Sequence, residues 1–380
     1  MTFTLHVDAP RWRKHLDSVV AEYSQVGATV SPVIKGNGYG FGRAILCDEV
    51  SRLNLSSVCV GTIFEAEQAL ALFAGDVVVM EPFTELNPRA VQRWTSLMHN
   101  YSSRLIAIIA TNEISAISHA GVRRAYIEGL SSMSRFGLTS HEMDNALETN
   151  DHAVSIEGLW LHLPIAEPAA EHVATFYQGG PQQSTTKDSG HARETIGWLT
   201  WYRDIAHKYS LPLHVSVSHL NLKDASVVAR HASDIDLSIR VGTSLWLGDQ
   251  KSLRVTGTVL AVHEGGLGHD AVGYTQTDSH GHKKVIVVSG GTSHGVALAA
   301  PPNVTTFRKR GIAIAEGMLE AMGKVKSPFA RGGSKLVFAE PPHMHASMLW
   351  CEDASVVVGE EIECTIRNTT ASFDAIVGLS

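Results

Sequence analysis

Strand-like apolar runs alternate with helical patterns from Val30 to Val241, and this rhythm restricts the fold of the 380-residue chain more than any other feature. The runs are Val30–Lys35, Val58–Ile63, Val77–Glu81, Leu105–Ala110, Ala125–Glu128, Ile156–Leu163, Leu213–Ser218 and Ile235–Val241. Between most of them apolar residues recur at helical spacing, as in Phe64–Phe73, Pro88–His99, Glu113–His119, His141–Thr149, Arg193–Tyr209 and Lys223–Ala232. A further helix is expected over Pro10–Val26. Eight such alternations predict an α/β fold with a parallel sheet, closed as a (β/α)8 TIM barrel or, alternatively, open and doubly wound. Leu105–Ala110 is apolar throughout, as suits a strand covered on both faces.

The rhythm breaks twice. Between Leu163 and Arg193 stands loop chemistry, including Gly179-Gly180-Pro181, and a loop of that length inside a domain usually has a function or is disordered. Past Gly248 the runs are short and β-rich: Val255–Val262, Lys284–Ser289, Lys335–Phe338, Ser355–Val358 and Glu361–Ile366, with one helix expected at Ile314–Met322. The reading is a barrel over residues 8–246 and a mainly β C-terminal domain over 247–380, which residues 1–7 are candidates to join. With 44% apolar and 18% charged residues there is ample material for both cores. A net charge of −7 gives no reason to invoke nucleic acid, and no apolar stretch reaches the length of a membrane span. Met1–Arg13 lacks the pattern of a secretory signal, and the four scattered cysteines suit reduced thiols, so a cytoplasmic location is expected.

The first run delivers Lys35 into Gly36-Asn37-Gly38-Tyr39-Gly40-Phe41-Gly42. Alternating glycines permit a sharp turn and close approach of a ligand. A lysine at an apolar strand end is partly desolvated, which lowers its pKa and makes the amine nucleophilic. The spacing fits neither a P-loop nor the dinucleotide fingerprint. In a barrel the chemistry sits at the C-terminal strand ends. Lys35, Arg135, His162, Ser218 and Arg240-Val241-Gly242-Thr243 would then share one mouth.

These segments also resemble the alanine racemase family. Lys35, Asn37, Tyr39, Gly40 and Gly42 match its cofactor-lysine motif, and Ser132-Met133-Ser134-Arg135-Phe136-Gly137 is similar to its Gly-Met-x-Arg-x-Gly segment. Glu157–His162, Arg240–Gly248, Val272-Gly273-Tyr274 and Met344-His345-Ala346-Ser347-Met348 resemble later family segments in order. The resemblance implies a racemase of amino acids with pyridoxal 5′-phosphate held covalently by Lys35. It implies a phosphate site of Tyr39, Ser218 and the Gly242 and Thr243 amides, with Arg240 at the pyridine nitrogen and His162 bonded to Arg240. A permanently charged arginine there disfavours ring protonation, which suits proton removal and return. Arg135 and Met344 would bind substrate, Lys35 and Tyr274 would be the two bases, and Glu128 would orient Arg135, where family members often carry a modified lysine. The resemblance further implies a head-to-tail homodimer with shared sites.

Some positions depart from the family. No tyrosine follows Tyr274, Val217 replaces an asparagine, Gly290–Gly295 differs from the usual glycine segment, and His345 replaces an aspartate. The substrate side chain is thereby left open. An alternative is an aldolase or dehydratase of D-amino acids with His343 and His345 as metal ligands. Another is a non-catalytic pyridoxal-phosphate-binding protein.

Overall fold

The computed structural model describes residues 2–111, 114–150, 153–167, 188–264, 271–274, 277–278, 284–298 and 326–379. The chain divides into two compact units, Lys14–Gly248 and Met1–Arg13 with Asp249–Ser380. Strands are numbered in chain order, β1 being Phe3–Val7.

The larger unit is a TIM barrel. Its strands are β2 (Ala28–Pro32), β3 (Ser57–Val60), β4 (Asp76–Val79), β5 (Leu105–Ile109), β6 (Arg124–Gly129), β7 (Ser155–His162), β8 (His214–Ser218) and β9 (Asp236–Val241). All pair in parallel in the order β2-β9-β8-β7-β6-β5-β4-β3. The barrel closes between β2 and β3 through a single bridge, Val33 to Cys59, with the Ile34 N–H donating to the Cys59 carbonyl at 2.8 Å. Each expected apolar run overlaps one of these strands. β5 is buried along its whole length, as its unbroken apolar sequence required. Inside the barrel Val33, Cys59, Val78, Ile106, Ile108, Tyr126 and Trp160 form one core cluster. These are the inward positions of successive strands, and together they fill the barrel with side chains rather than leaving a pore.

The helices start where local chemistry favours it. Pro88–Tyr101 carries proline at its first turn, and the Asn87 side chain accepts the Ala90 N–H at 3.2 Å. Ser140–Glu148 begins with a reciprocal capping box between Thr139 and Glu142. Arg43–Arg52 was not among the expected helices, because Ile45, Leu46 and Cys47 run consecutively and blur the helical spacing. The 163–193 segment is described only at its ends. There His191 Nε2 lies 2.9 Å from the Pro164 carbonyl, and the Gly190 N–H donates to Glu167 at 2.7 Å.

The smaller unit is mainly β. β10 (Leu253–Glu264) pairs with both β17 (Glu361–Cys364) and β13 (Lys284–Ser289), while β11 (Ala271–Val272) and β12 (Thr277–Asp278) pair antiparallel with each other. Through β16 (Ala346–Cys351), β15 (Ser334–Phe338) and β14 (Lys326–Arg331) the pairing runs back to β17, so six strands form a closed ring. β1 adds antiparallel to β10, from Phe3 opposite Gly257 to Val7 opposite Leu253, and β18 (Ala375–Val377) adds parallel to β1. Ser355–Val358, expected as a strand, is instead turn with Val357 and Val358 exposed; apolar side chains facing water gain nothing from pairing there. The helix expected at Ile314–Met322 lies outside the described residues.

Candidate active site

The barrel gathers most of the expected residues at the C-terminal ends of its strands. β2 stops at Pro32, so Lys35 stands in the turn beyond the strand rather than in it. Two bonds hold that approach: the Val33 N–H donates to the Val241 carbonyl at 2.8 Å, and Trp246 Nε1 donates to the Val33 carbonyl at 2.8 Å. Trp246 is wholly buried and follows β9 on the short helix Thr243–Trp246, so the arginine strand and the lysine turn are fastened together. Lys35 reaches solvent at the mouth, but the surrounding protein removes enough water to lower its pKa. Arg135 reinforces that shift, Glu65 opposes it and Arg240 adds to it.

Arg240 is buried beneath this mouth. Its Nη1 donates to Ser216 Oγ at 3.0 Å, its Nη2 donates to the Leu161 carbonyl at 2.5 Å, and its guanidinium lies 3.5 Å over the Trp160 ring. Burial depresses its pKa to about 10, which leaves it cationic at neutral pH. The expected His162–Arg240 bond is not formed. Strand register explains why: His162 is opposite Ser218, and Ser218 is opposite Arg240, so the serine strand separates the two. His162 Nδ1 instead meets Ser218 Oγ at 3.2 Å, and that same oxygen accepts the Leu163 N–H at 3.2 Å. Burial, with Arg240 and Arg135 nearby, drives His162 down to about 3, so its ring is neutral across the ordinary pH range.

Tyr39 and Gly242 form the other wall. A Cβ at Gly242 would lie 2.0 Å from the Tyr39 hydroxyl oxygen, so only glycine lets the phenol reach the loop after β9. Tyr39 itself holds a left-handed backbone (φ 56°), a strained state that concentrates at functional sites. Burial pushes its hydroxyl up to about 12, leaving a neutral hydrogen-bond donor. The group implied by the sequence, pyridoxal phosphate, can be tested against these residues. Arg240 Nε is buried without a hydrogen-bond partner, a donor left for an acceptor such as a pyridine nitrogen. Together with an amine at Lys35 and hydroxyls at Tyr39 and Ser218, the donor set fits the group.

The contact expected between Glu128 and Arg135 is absent. Glu128 lies in β6, 2% exposed, with Oε2 lacking any partner, whereas Arg135 is exposed with its guanidinium 5.0 Å from the Phe136 ring. The loop between them folds back on the strand end, Leu138 N–H donating to the Glu128 carbonyl at 2.8 Å, which carries its tip outward. Stripped of water, Glu128 rises to about 7 despite Arg240 and Arg135. A carboxyl raised from 4.5 stabilises the fold fully below pH 4.5 and loses that contribution between about pH 4.5 and 7. In cofactor-free protein Glu128→Gln is therefore expected to raise stability by about 3 kcal/mol above pH 7 and to change little near pH 4. Denaturant melts at both pH values check this, and an equal effect at each would show that Glu128 does not titrate in the window.

Sequence reasoning missed three contributors here. Glu194, on the helix Gly190–Tyr209, accepts the Ser132 N–H and hydroxyl, both at 2.6 Å, and so anchors the loop that carries Arg135. His219 has φ 60° directly after Ser218, its ring 5.4 Å from that of His162. Glu65 touches the lysine turn. Each sits beside a quoted motif, yet nothing in its own spacing marks it.

Tyr274 and Met344 belong to the smaller unit, and both are exposed. The Tyr274 ring lies 4.6 Å from that of His343, whose Nε2 meets buried Glu340 at 2.6 Å. The Met344 carbonyl accepts the Ser293 N–H at 3.0 Å, joining the Met344 segment to the divergent Gly290–Gly295 turn. His345 packs edge-on to His294. Among the described residues no group of three His, Cys, Asp or Glu could hold a metal ion, and His343 and His345 face different partners.

A TIM barrel bearing a lysine, two arginines and several hydroxyls at one mouth, joined to a mainly β unit, defines a narrow class. A family model described as alanine racemase, N-terminal domain, matches residues 7–246. The chain belongs to the alanine racemase family. A search of curated proteins finds no match. Among solved structures it is similar to the alanine racemase of Bacillus anthracis with bound L-Ala-P, at 12% identity and TM-score 0.64 over 95% of this chain and 84% of that one. It is similar to that of Bartonella henselae with covalently bound pyridoxal phosphate, at 15% and 0.59 over 96% and 90%. The biosynthetic alanine racemase of Pseudomonas aeruginosa gives 16% and 0.59 over 97% and 91%. At these identities the likeness establishes the fold.

Proposed function

We propose that this protein is a pyridoxal-phosphate-dependent racemase acting on a small amino acid. The observation that carries the reading is the buried Arg240 with its unpartnered Nε, set beneath a partly desolvated Lys35 at the mouth of an alanine racemase barrel. Pyridoxal phosphate, when bound, draws electrons from the substrate α-carbon so that its proton can leave and return. Lys35 would supply the amine that holds the cofactor and would serve as the base for the α-proton on one face. Arg240 would keep a fixed positive charge for the ring nitrogen, while Tyr39, Ser218 and the Gly242 and Thr243 amides would hold the phosphate. Arg135 meets the substrate carboxylate, with Glu194 holding its loop. Tyr274 serves the opposite face, supplied with Met344 by a partner subunit in a homodimer.

The test is α-proton exchange in heavy water across a panel of L- and D-amino acids with the cofactor-loaded protein. The expected result is exchange from both enantiomers of one small amino acid, with net conversion of each into the other. Covalently bound cofactor without exchange from any amino acid would overturn the racemase reading in favour of a carrier.

A further inference from the structure

The Lys35 turn crosses the weakest part of the barrel, where β2 and β3 share one bridge. Glu65 spans that seam. It is the third residue of the helix Ile63–Leu72, and its Oε2 accepts the Gly61 N–H at 2.8 Å, an ordinary way to satisfy a donor at a helix start. The same oxygen accepts the Gly36 N–H at 3.2 Å, which no helix start requires. The other side of the Gly36 residue is also held. Arg43 Nη1 donates to the Gly36 carbonyl at 2.5 Å, and Arg43 Nε donates to Gln68 Oε1 at 2.7 Å, one turn after Glu65 on the same helix. Gly36 has φ +65°, a conformation glycine adopts without steric cost, so these bonds select one state of a permissive residue. The packing is close: a Cβ at Gly61 would lie 3.0 Å from Glu65 Oε1 and 3.3 Å from Lys35 Cβ.

We infer that Glu65 is the positioning residue for Lys35: its carboxylate fastens the residue after the lysine to the end of the neighbouring strand and stands as the counter-charge of the amine. Neither the strand pattern nor the family resemblance assigns it this role. The inference rests on the proposed function insofar as Lys35 is the cofactor lysine. The charged groups acting on Lys35 are Arg135 and Arg240, which favour the neutral amine, and Glu65, which favours the ammonium; His162 and His219 also feel the Lys35 charge. Removing the Glu65 charge therefore lowers the Lys35 pKa further, and removing the acceptor releases the turn. The two roles separate in two variants. Glu65→Gln keeps an acceptor and loses the charge, and Glu65→Ala loses both.

Two measurements read them. Amide hydrogen exchange at Gly36, followed by NMR in cofactor-free protein, is expected to quicken about tenfold in Glu65→Ala and much less in Glu65→Gln. The pH dependence of pyridoxal 5′-phosphate capture at Lys35, trapped with borohydride and located by peptide mapping, is expected to shift down by about one pH unit in Glu65→Gln. Glu65→Asp, one methylene shorter, is expected to restore the pH midpoint while leaving Gly36 exchange quickened. Unchanged Gly36 exchange in Glu65→Ala, or an unmoved midpoint in Glu65→Gln, would overturn the inference. Failure of wild-type protein to capture the cofactor at Lys35 would instead refute the cofactor assignment, while the exchange measurement would still decide whether Glu65 holds the turn.

Discussion

Lys35→Ala is expected to give a folded protein that no longer forms a yellow, borohydride-fixable adduct with pyridoxal 5′-phosphate. Wild type should carry that label on one lysine. The side chain of Lys35 is exposed at the mouth, so its loss should alter stability by no more than about 0.5 kcal/mol. The turn around it is held by the Val33 and Ile34 amides and by the Glu65 and Arg43 side chains on Gly36, none of which uses the Lys35 side chain, so these bonds survive the substitution. What disappears is the amine that, in the proposed function, is both the covalent hold and a base. Racemisation is expected to fall by about 10³-fold or more. A Lys35→Ala protein that retained the covalent chromophore, or a label mapped to another lysine, would end the assignment.

Tyr274→Phe is expected to lower racemisation by about 10²–10⁴-fold while cofactor binding stays intact. Interconversion needs a proton taken on one face of the substrate and delivered on the other, and one tethered lysine serves one face. The ring of Tyr274 is 87% exposed and lies tilted against His343, and phenylalanine preserves that contact. The change therefore removes a hydroxyl and little else. An ordinary phenol titrates near 10, so a base at that position needs cationic help. Within the tyrosine's own unit the adjoining imidazole is His343, whose Nε2 meets buried Glu340. The variant should retain α-proton exchange from a single enantiomer, through Lys35. Exchange from both enantiomers at wild-type rates would assign the second base elsewhere.

The barrel was legible because its strands are buried on both faces and its helices on one, so hydrophobic periodicity alone separates them. β5 and the helix Pro88–Tyr101 illustrate both patterns. The smaller unit was less so. Lys326–Arg331 contains Pro328 and Ala375–Val377 is three residues long, and strands of that kind owe their existence to neighbours rather than to their own sequence. Ser355–Val358 shows the converse, three valines with strand propensity that form no strand.

The sequence by itself determined the fold class, the family, and which residue types would meet at the strand ends, since strand count and motif order are properties of the chain. Partners across strands were decided only by the tertiary structure. Register placed Ser218 between His162 and Arg240, and a folded-back loop parted Glu128 from Arg135. It also brought Glu65 to Gly36 and Trp246 to Val33. Hydrogen bonds depend on ångström-scale alignment between segments far apart in the chain, and local periodicity carries no record of that alignment.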